Sequence, residues 1–299
     1  MARKHRKYME DDFDLDVYIK KQTDRTFKEK IKEQSRKLSG IVKILLIIAS
    51  FITAYALYSY ASYLIEVWRD NRINETARHI EETAASEKPS SPSLTASPKA
   101  YIKNRILAKP TPLLMPAILK LRDEFHNNDI DAYLKIEDSN IDFPVVQTHN
   151  NSYYLTHDLR RQNNAAGSAF IDYENRISPL GFNTVIYAHN MRDGSMFHNL
   201  RYYKDPEYFN THKIISLQTL YEDTLWEIFS FYETNTEFLY NTTIFNNPQD
   251  LITFAHLIKE KSTVPSEADL TEYSKILTLS TCTNRDRNSR YVLHAYRIG

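Results

Sequence analysis

The chain reads as a mainly β protein with a few helices, carried behind one membrane-spanning helix. Three observations predict this. Eight short runs rich in β-branched and aromatic residues follow one another between residues 132 and 298. Tyr and Phe number 21 and 14 against five Gly, a composition suited to pleated surfaces filled by rings. Ahead of them, Ile44 to Leu64 form 21 residues without a charge, and about 20 apolar residues span a bilayer as a helix.

The strand-like runs are Ala132–Glu137, Ile141–Gln147, Ser168–Asp172, Asn183–Ala188, Lys213–Thr219, Thr224–Glu233, Lys275–Cys282 and Arg290–Ile298. Each is bounded by Asn, Asp, Pro or Gly. Eight strands in one domain suit a closed barrel or a sandwich. Leu114, Ile118, Leu121 and Phe125 recur at helical spacing before Asn127 and Asn128, predicting an amphipathic helix ahead of the sheet. A second helix, Pro248–Lys261, is expected between the sixth and seventh strands. Asn247 is placed to cap it, Pro248 suits its first turn, and Leu251, Phe254, Ala255 and Ile258 form its apolar stripe.

In the N-terminal third, Ser50, Thr53, Ser59 and Ser62 are too small and scattered to give the apolar stretch the polar stripe of a core helix. Tyr58, Tyr60, Tyr63 and Trp68 crowd its C-terminal end, as in an interfacial aromatic belt. Seven Lys and Arg at positions 21–40 face three at positions 66–85. The positive-inside rule therefore puts the N-terminus in the cytoplasm and the remainder outside. The apolar core exceeds that of a cleaved signal peptide, which marks an uncleaved anchor. The expected layout is a charged cytoplasmic tail 1–43, a transmembrane anchor 44–64, a helical extension and Pro/Ser-rich linker 65–112, and a globular domain 113–299. The run Asp11, Asp12, Asp14, Asp16 lacks the glycine and distal glutamate of a calcium loop and reads as solvated tail. Lys+Arg and Asp+Glu balance at 38 each, so no net field argues for nucleic acid.

The chain has one cysteine, so an intramolecular disulfide is excluded and Cys282 is either a small buried hydrophobe or a reactive thiol. Alternation along Lys275–Cys282 puts Ile276, Thr278, Ser280 and Cys282 on one face. The thiol thus shares a face with hydroxyls at the polar end of the strand. If this strand pairs with the next as a hairpin, Arg290 lies across from Cys282. A guanidinium there either supports a thiolate or an oxyanion, or is a plain strand-end charge. A thiol nucleophile also needs an imidazole. Of ten histidines, His294 lies mid-strand and reads as a satisfied sheet residue. His189 ends the apolar run TVIYA and opens a polar turn, where catalytic side chains are commonly presented. No zinc-type spacing of His and Cys is present.

The run TLSTC (Thr278–Cys282), the RYVLHA that begins at Arg290, and YAHNM with a downstream GSMF (Tyr187–Met191, Gly194–Phe197) together resemble the class B sortases. So do DAYLKIEDSNIDFPVVQ (Asp131–Gln147), NSYYLTHD (Asn151–Asp158) and GSAFIDY (Gly167–Tyr173). Two departures are Ala188, where the family has Gly between Tyr and His, and a cytoplasmic tail longer than the family pattern explains. The resemblance implies a closed eight-stranded sortase-type β-barrel, with the helix Pro248–Lys261 as the extra helix of class B. It implies the triad His189, Cys282 and Arg290, with Asn151, Leu155, Tyr187, Ser280 and Thr281 along a sorting-signal groove.

The activity implied is thiol transpeptidation without a cofactor. An NPxTx-like signal of a surface protein is cleaved after Thr, and the acyl group passes to an amine of the peptidoglycan cross-bridge or its lipid-linked precursor. A pilin lysine as acceptor, a plain cysteine peptidase, and a non-catalytic wall-binding domain with a buried Cys282 stand as alternatives.

Overall fold

The computed structural model describes residues 15–86, 114–283, 285 and 288–298. Two compact units divide the chain, Met1–Ile65 and Glu66–Gly299. In the first, all that is described belongs to helix α1, Leu15–Ser86. Its uncharged stretch exposes large apolar side chains such as Leu46, Phe51 and Ile52, and it is long and apolar enough to cross a membrane. Residues 1–14 of the charged tail, and 87–113, where the Pro/Ser-rich linker is expected, lie outside the described residues.

The second unit is built on eight strands: β1 Ile130–Ile136, β2 Asp142–Val146, β3 Ala169–Ile171, β4 Asn183–Tyr187, β5 Ile214–Thr219, β6 Asp223–Asn235, β7 Ile276–Cys282 and β8 Ser289–Arg297. All eight expected runs form strands, their ends displaced by a residue or two. They close into a barrel in the order β1-β2-β3-β4-β7-β8-β6-β5, which leaves no edge to pair with another chain. Two pairings are parallel, β2 with β3 and β4 with β7; the others are antiparallel. The period of two places Leu277 and Leu279 of β7 inside, with Leu134, Phe143, Leu217, Trp226, Phe231 and Leu293. It turns Ile276 outward, into a separate cluster.

Helix α2, Pro116–Phe125, covers one side of the barrel with Ile118, Leu121 and Phe125 against Ile130, Tyr133 and Phe170. Leu114, expected in its stripe, lies before the helix and is exposed. Pro116 starts the helix and holds Met115 extended (φ −69°, ψ 118°), as residues before proline are. Ile73 and Ala77 of α1 join this cluster, Arg78 pairs with Asp142 at 3.0 Å, and Arg69 donates to the Asn163 carbonyl at 2.9 Å. The compact unit therefore takes in Glu66–Ser86: the helical extension expected after the anchor is present, and it packs on the domain instead of standing apart as a tether. Two 3₁₀ turns, Tyr153–Leu155 and Phe197–Lys204, and a short helix α3, Pro206–Thr211, add to the expected helices.

Helix α4, Pro248–Glu260, begins where Asn247 Oδ1 accepts the Asp250 N–H at 2.9 Å. It lays Leu251, Phe254, Ala255 and Ile258 over Phe229, Tyr232, Ile276 and Val292 on the barrel's outer face. Beneath it runs a chain of buried hydrogen bonds. Thr278 Oγ1 donates to Asn183 Oδ1 at 2.7 Å and so accepts from His294 Nδ1 at 2.8 Å. His294 Nε2 in turn accepts from the Tyr232 hydroxyl at 2.8 Å, and Asn183 Nδ2 donates to the Thr242 carbonyl at 2.9 Å. Every donor meets an acceptor, which fixes the imidazole as its Nδ1–H tautomer.

Two consequences are measurable. Phe254→Ala removes a ring packed under α4 and should cost about 3–5 kcal/mol of barrel stability in a denaturant titration. Burial pushes His294 from 6.5 down to about 3. Below about pH 6.5 the unfolded chain binds a proton that the folded barrel refuses. Stability attributable to this site is then complete above that pH and falls by about 1.4 kcal/mol per unit on acidification. His294→Gln should be less stable at neutral pH yet show a shallower loss of melting temperature between pH 6.5 and 4.5.

Candidate active site

Cys282 closes β7 and stands directly opposite Arg290 of β8. The next pair outward carries the ladder bond, Thr283 N–H to the Ser289 carbonyl at 3.1 Å. Antiparallel pairs alternate, so Cys282 and Arg290 form a non-hydrogen-bonded pair, the kind whose side chains approach most closely. The backbone polar groups of Cys282 then face β4. The thiol is free and exposed, not a core hydrophobe. Arg290 is half-buried and its Nη1 donates to the Ser289 carbonyl at 3.0 Å.

The parallel register of β4 with β7 ends at Tyr187↔Ser280. Two residues further along each strand stand His189 and Cys282, on the face that Tyr187 and Ser280 share. His189 is half-buried, and its Nε2 lies 2.8 Å from the Leu155 carbonyl. A carbonyl only accepts, so Nε2 carries the hydrogen and Nδ1 is left for other partners. The His189 carbonyl accepts from Phe197 N–H at 2.9 Å, closing the turn behind it. Leu155 can sit there because residue 167 is glycine. Gly167 has φ +60°, and a Cβ on it would lie 2.8 Å from the Leu155 carbonyl oxygen and collide with that of Tyr154.

The remaining residues expected along the groove divide into two groups. Tyr187, Ser280 and Leu155 gather on the Cys282 side, with Leu155 exposed. The Tyr187 hydroxyl donates to Asp172 Oδ2 at 3.0 Å and accepts from Asn241 Nδ2 at 3.0 Å. Burial, reinforced by the Asp172 charge, raises its pKa. Asn151 stands beside them with its amide spent inside the protein, Nδ2 on Asp172 and Oδ1 on the Tyr173 N–H. Thr281 differs. It is buried and points to the other face, its hydroxyl donating to the Ala188 carbonyl at 2.7 Å. Alternation next to an outward Cys282 requires this, so its side chain is not on the groove surface.

Sequence reasoning missed Tyr240. It follows β6 in the segment TEFLYN, its hydroxyl accepts from Ser280 Oγ at 3.0 Å, and it feels both the Arg290 guanidinium, which also hydrogen-bonds it, and Cys282. Burial raises its pKa above the usual tyrosine value while Ser280 and Arg290 pull the other way. The available signal was a cluster of rings, Phe238, Tyr240 and Phe245, in a connection that needed none. Among the described residues no three His, Cys, Asp or Glu side chains gather as metal ligands would.

A family model described as the sortase domain matches residues 134–298. Sortase B of Listeria monocytogenes is 38% identical over 173 residues, covering 56% of this chain and 70% of the relative. A Staphylococcus aureus sortase B–substrate complex superposes with a TM-score of 0.59 at 30% identity, over 67% of this chain and 90% of that one. A sortase B complexed with triglycine gives a TM-score of 0.59 at 32% identity, over 67% and 94%. With that barrel and a matched segment running through His189, Cys282 and Arg290, the chain belongs to the sortase family, among the class B enzymes, which are cysteine transpeptidases that act on cell-wall sorting signals.

Proposed function

We propose that His189, Cys282 and Arg290 are the reacting group of this transpeptidase. The observation that carries the reading is their placement: Cys282 and Arg290 oppose each other across a close pair, and His189 lies two residues past the end of β4, as Cys282 lies two residues past its partner Ser280 in β7. The Cys282 thiolate attacks the carbonyl carbon of the signal's Thr, forming the S–C bond. Arg290 holds the oxyanion. Collapse breaks the C–N bond, and protonated His189 gives its Nδ1 proton to the leaving amine. An incoming amine then attacks the thioester, its proton returns to His189, and Cys282 sulfur leaves.

The acyl donor in this reading is a surface protein bearing an NPxTx-like signal. The acceptor is a glycine-type amine of a wall cross-bridge or its lipid-linked precursor, by analogy with the triglycine held by a related sortase B. Leu155 and Tyr187 line the groove, and the buried pair Ser280 and Tyr240 supports it from beneath. Asn151 supports it through Asp172, and Thr281 contributes by fixing the strand end. Helix α1 anchors the protein as a single pass through residues 44–64, with the tail 1–43 cytoplasmic, the stretch 65–112 leading outward and the catalytic domain outside the cell. The positive-inside asymmetry supports that orientation.

The test is to give the detergent-solubilised full chain a sorting peptide and triglycine and to weigh the products. Cys282→Ala should fold but form no thioester. His189→Asn should slow acylation by about 10²–10⁴-fold. Arg290→Lys should lose about 10²–10³-fold, because a compact ammonium does not reproduce a planar fork of donors. Arg285→Ala, which breaks an exposed pair with Glu233, should turn over normally. Thioester in Cys282→Ala, or near-normal turnover in Arg290→Lys, would count against the assignment.

Specificity follows from the groove's polarity. Half-buried Asn241 and Tyr187, hydrogen-bonded to each other, give the groove a polar surface beside the α4 wall, and polar sites reject analogues lacking the matching group. An NPxTx peptide should exceed an LPxTG peptide in kcat/KM by about tenfold or more; the reverse order would remove the motif from the proposal.

A further inference from the structure

Beyond Tyr187↔Ser280 the β4–β7 ladder gives way to side-chain bonds. The last backbone contact, Ala188 N–H to the Ser280 carbonyl, is already long at 3.4 Å. Past it, Asn190 Nδ2 donates to the carbonyl of Cys282 itself at 2.9 Å. Asn190 is the immediate neighbour of His189, so this bond is the shortest route by which the histidine turn holds the cysteine. Asn190 is anchored in turn. It bridges Met196 across the turn, and the Met196 carbonyl accepts from Asn140 Nδ2 at 3.1 Å.

We propose that Asn190 is a positioning residue of the transpeptidation, setting the separation and angle between His189 and Cys282; this rests on the roles proposed above. The amide's orientation is decided by chemistry. The Cys282 carbonyl only accepts, so Nδ2 faces it and Oδ1 points away. That Oδ1 is buried and has no hydrogen-bond partner among the described residues. No other described contact restrains the Cys282 carbonyl from the histidine side. Removing the bond leaves both reacting residues in place but lets the end of β7 shift relative to the turn. A displacement of about 1 Å between reacting groups costs about a hundredfold in rate.

The experiment compares the wild-type full chain with Asn190→Asp, which fills the same space but has no donor for a carbonyl, and with Asn190→Ser, too short to reach. Acylation by an NPxTx peptide is followed by intact mass in single turnover, beside steady-state KM, thiol alkylation by iodoacetamide, and melting temperature. The expected result is a fall in acylation of about tenfold or more in both variants. KM should stay within about twofold, with alkylation and melting near wild type. Wild-type acylation in Asn190→Asp would overturn the proposal, as would a loss lying in KM, or one that tracks melting temperature. Should the Asp variant not fold, Asn190→Ser decides by the same criteria. A wild-type chain that itself forms no thioester would overturn the proposed function and, with it, the role built on that function.

Discussion

The parallel pairing of β4 with β7, in register from Asn183↔Ile276 to Tyr187↔Ser280, is the constraint to which the end of the barrel carrying the proposed reacting group is referred. Parallel strands start and finish at the same ends, so their last residues are delivered side by side without a connecting turn. Here the turn leaving β4 delivers His189 and the end of β7 delivers Cys282. The hairpin from β7 to β8 then returns the chain so that Arg290 meets Cys282 from the opposite flank. Three neighbouring strands, β4 through the turn that leaves it, thus supply one side chain each, and barrel closure prevents any of them from sliding in register without displacing the whole inner core.

The polar chain beneath α4 serves the same arrangement from behind. Tyr232, His294, Thr278 and Asn183 hand hydrogen bonds in one direction to the Thr242 carbonyl. Two residues earlier in that connection is Tyr240, against Ser280, and one residue earlier Asn241, against Tyr187. A buried network in which every hydrogen has a destination selects one packing where a purely apolar interface would accept several. The loop beside the thiol is therefore held by specific bonds at three successive residues.

Much of this was legible in the chain, and for identifiable reasons. Strands announce themselves through a period of two and turn residues, so all eight were placed. Cys282 was conspicuous as the one thiol, at a polar strand end, and the hairpin geometry put Arg290 across from it. His189 needed resemblance to separate it from its rivals, because a strand-end histidine has no periodic signature. Tyr240 and the packing of Ile73 and Ala77 were not legible. Both depend on contacts between segments far apart in sequence, and neither a loop tyrosine nor a charged helix flank carries a pattern that says what it touches. The inward turn of Thr281 did follow from alternation, yet motif similarity placed it along the groove.

Gly167 gives the arrangement an unexpected sensitivity. It occupies a left-handed conformation while passing against the Tyr154 and Leu155 carbonyls, and the second of these is the oxygen that holds His189 Nε2. A single methyl group at a position with no chemistry of its own would push that oxygen away and free the ring to carry its hydrogen on either nitrogen. The proton inventory of the imidazole is thereby written into the chain as a missing carbon atom. Selection on such a site would follow the histidine's state while acting on nothing but space.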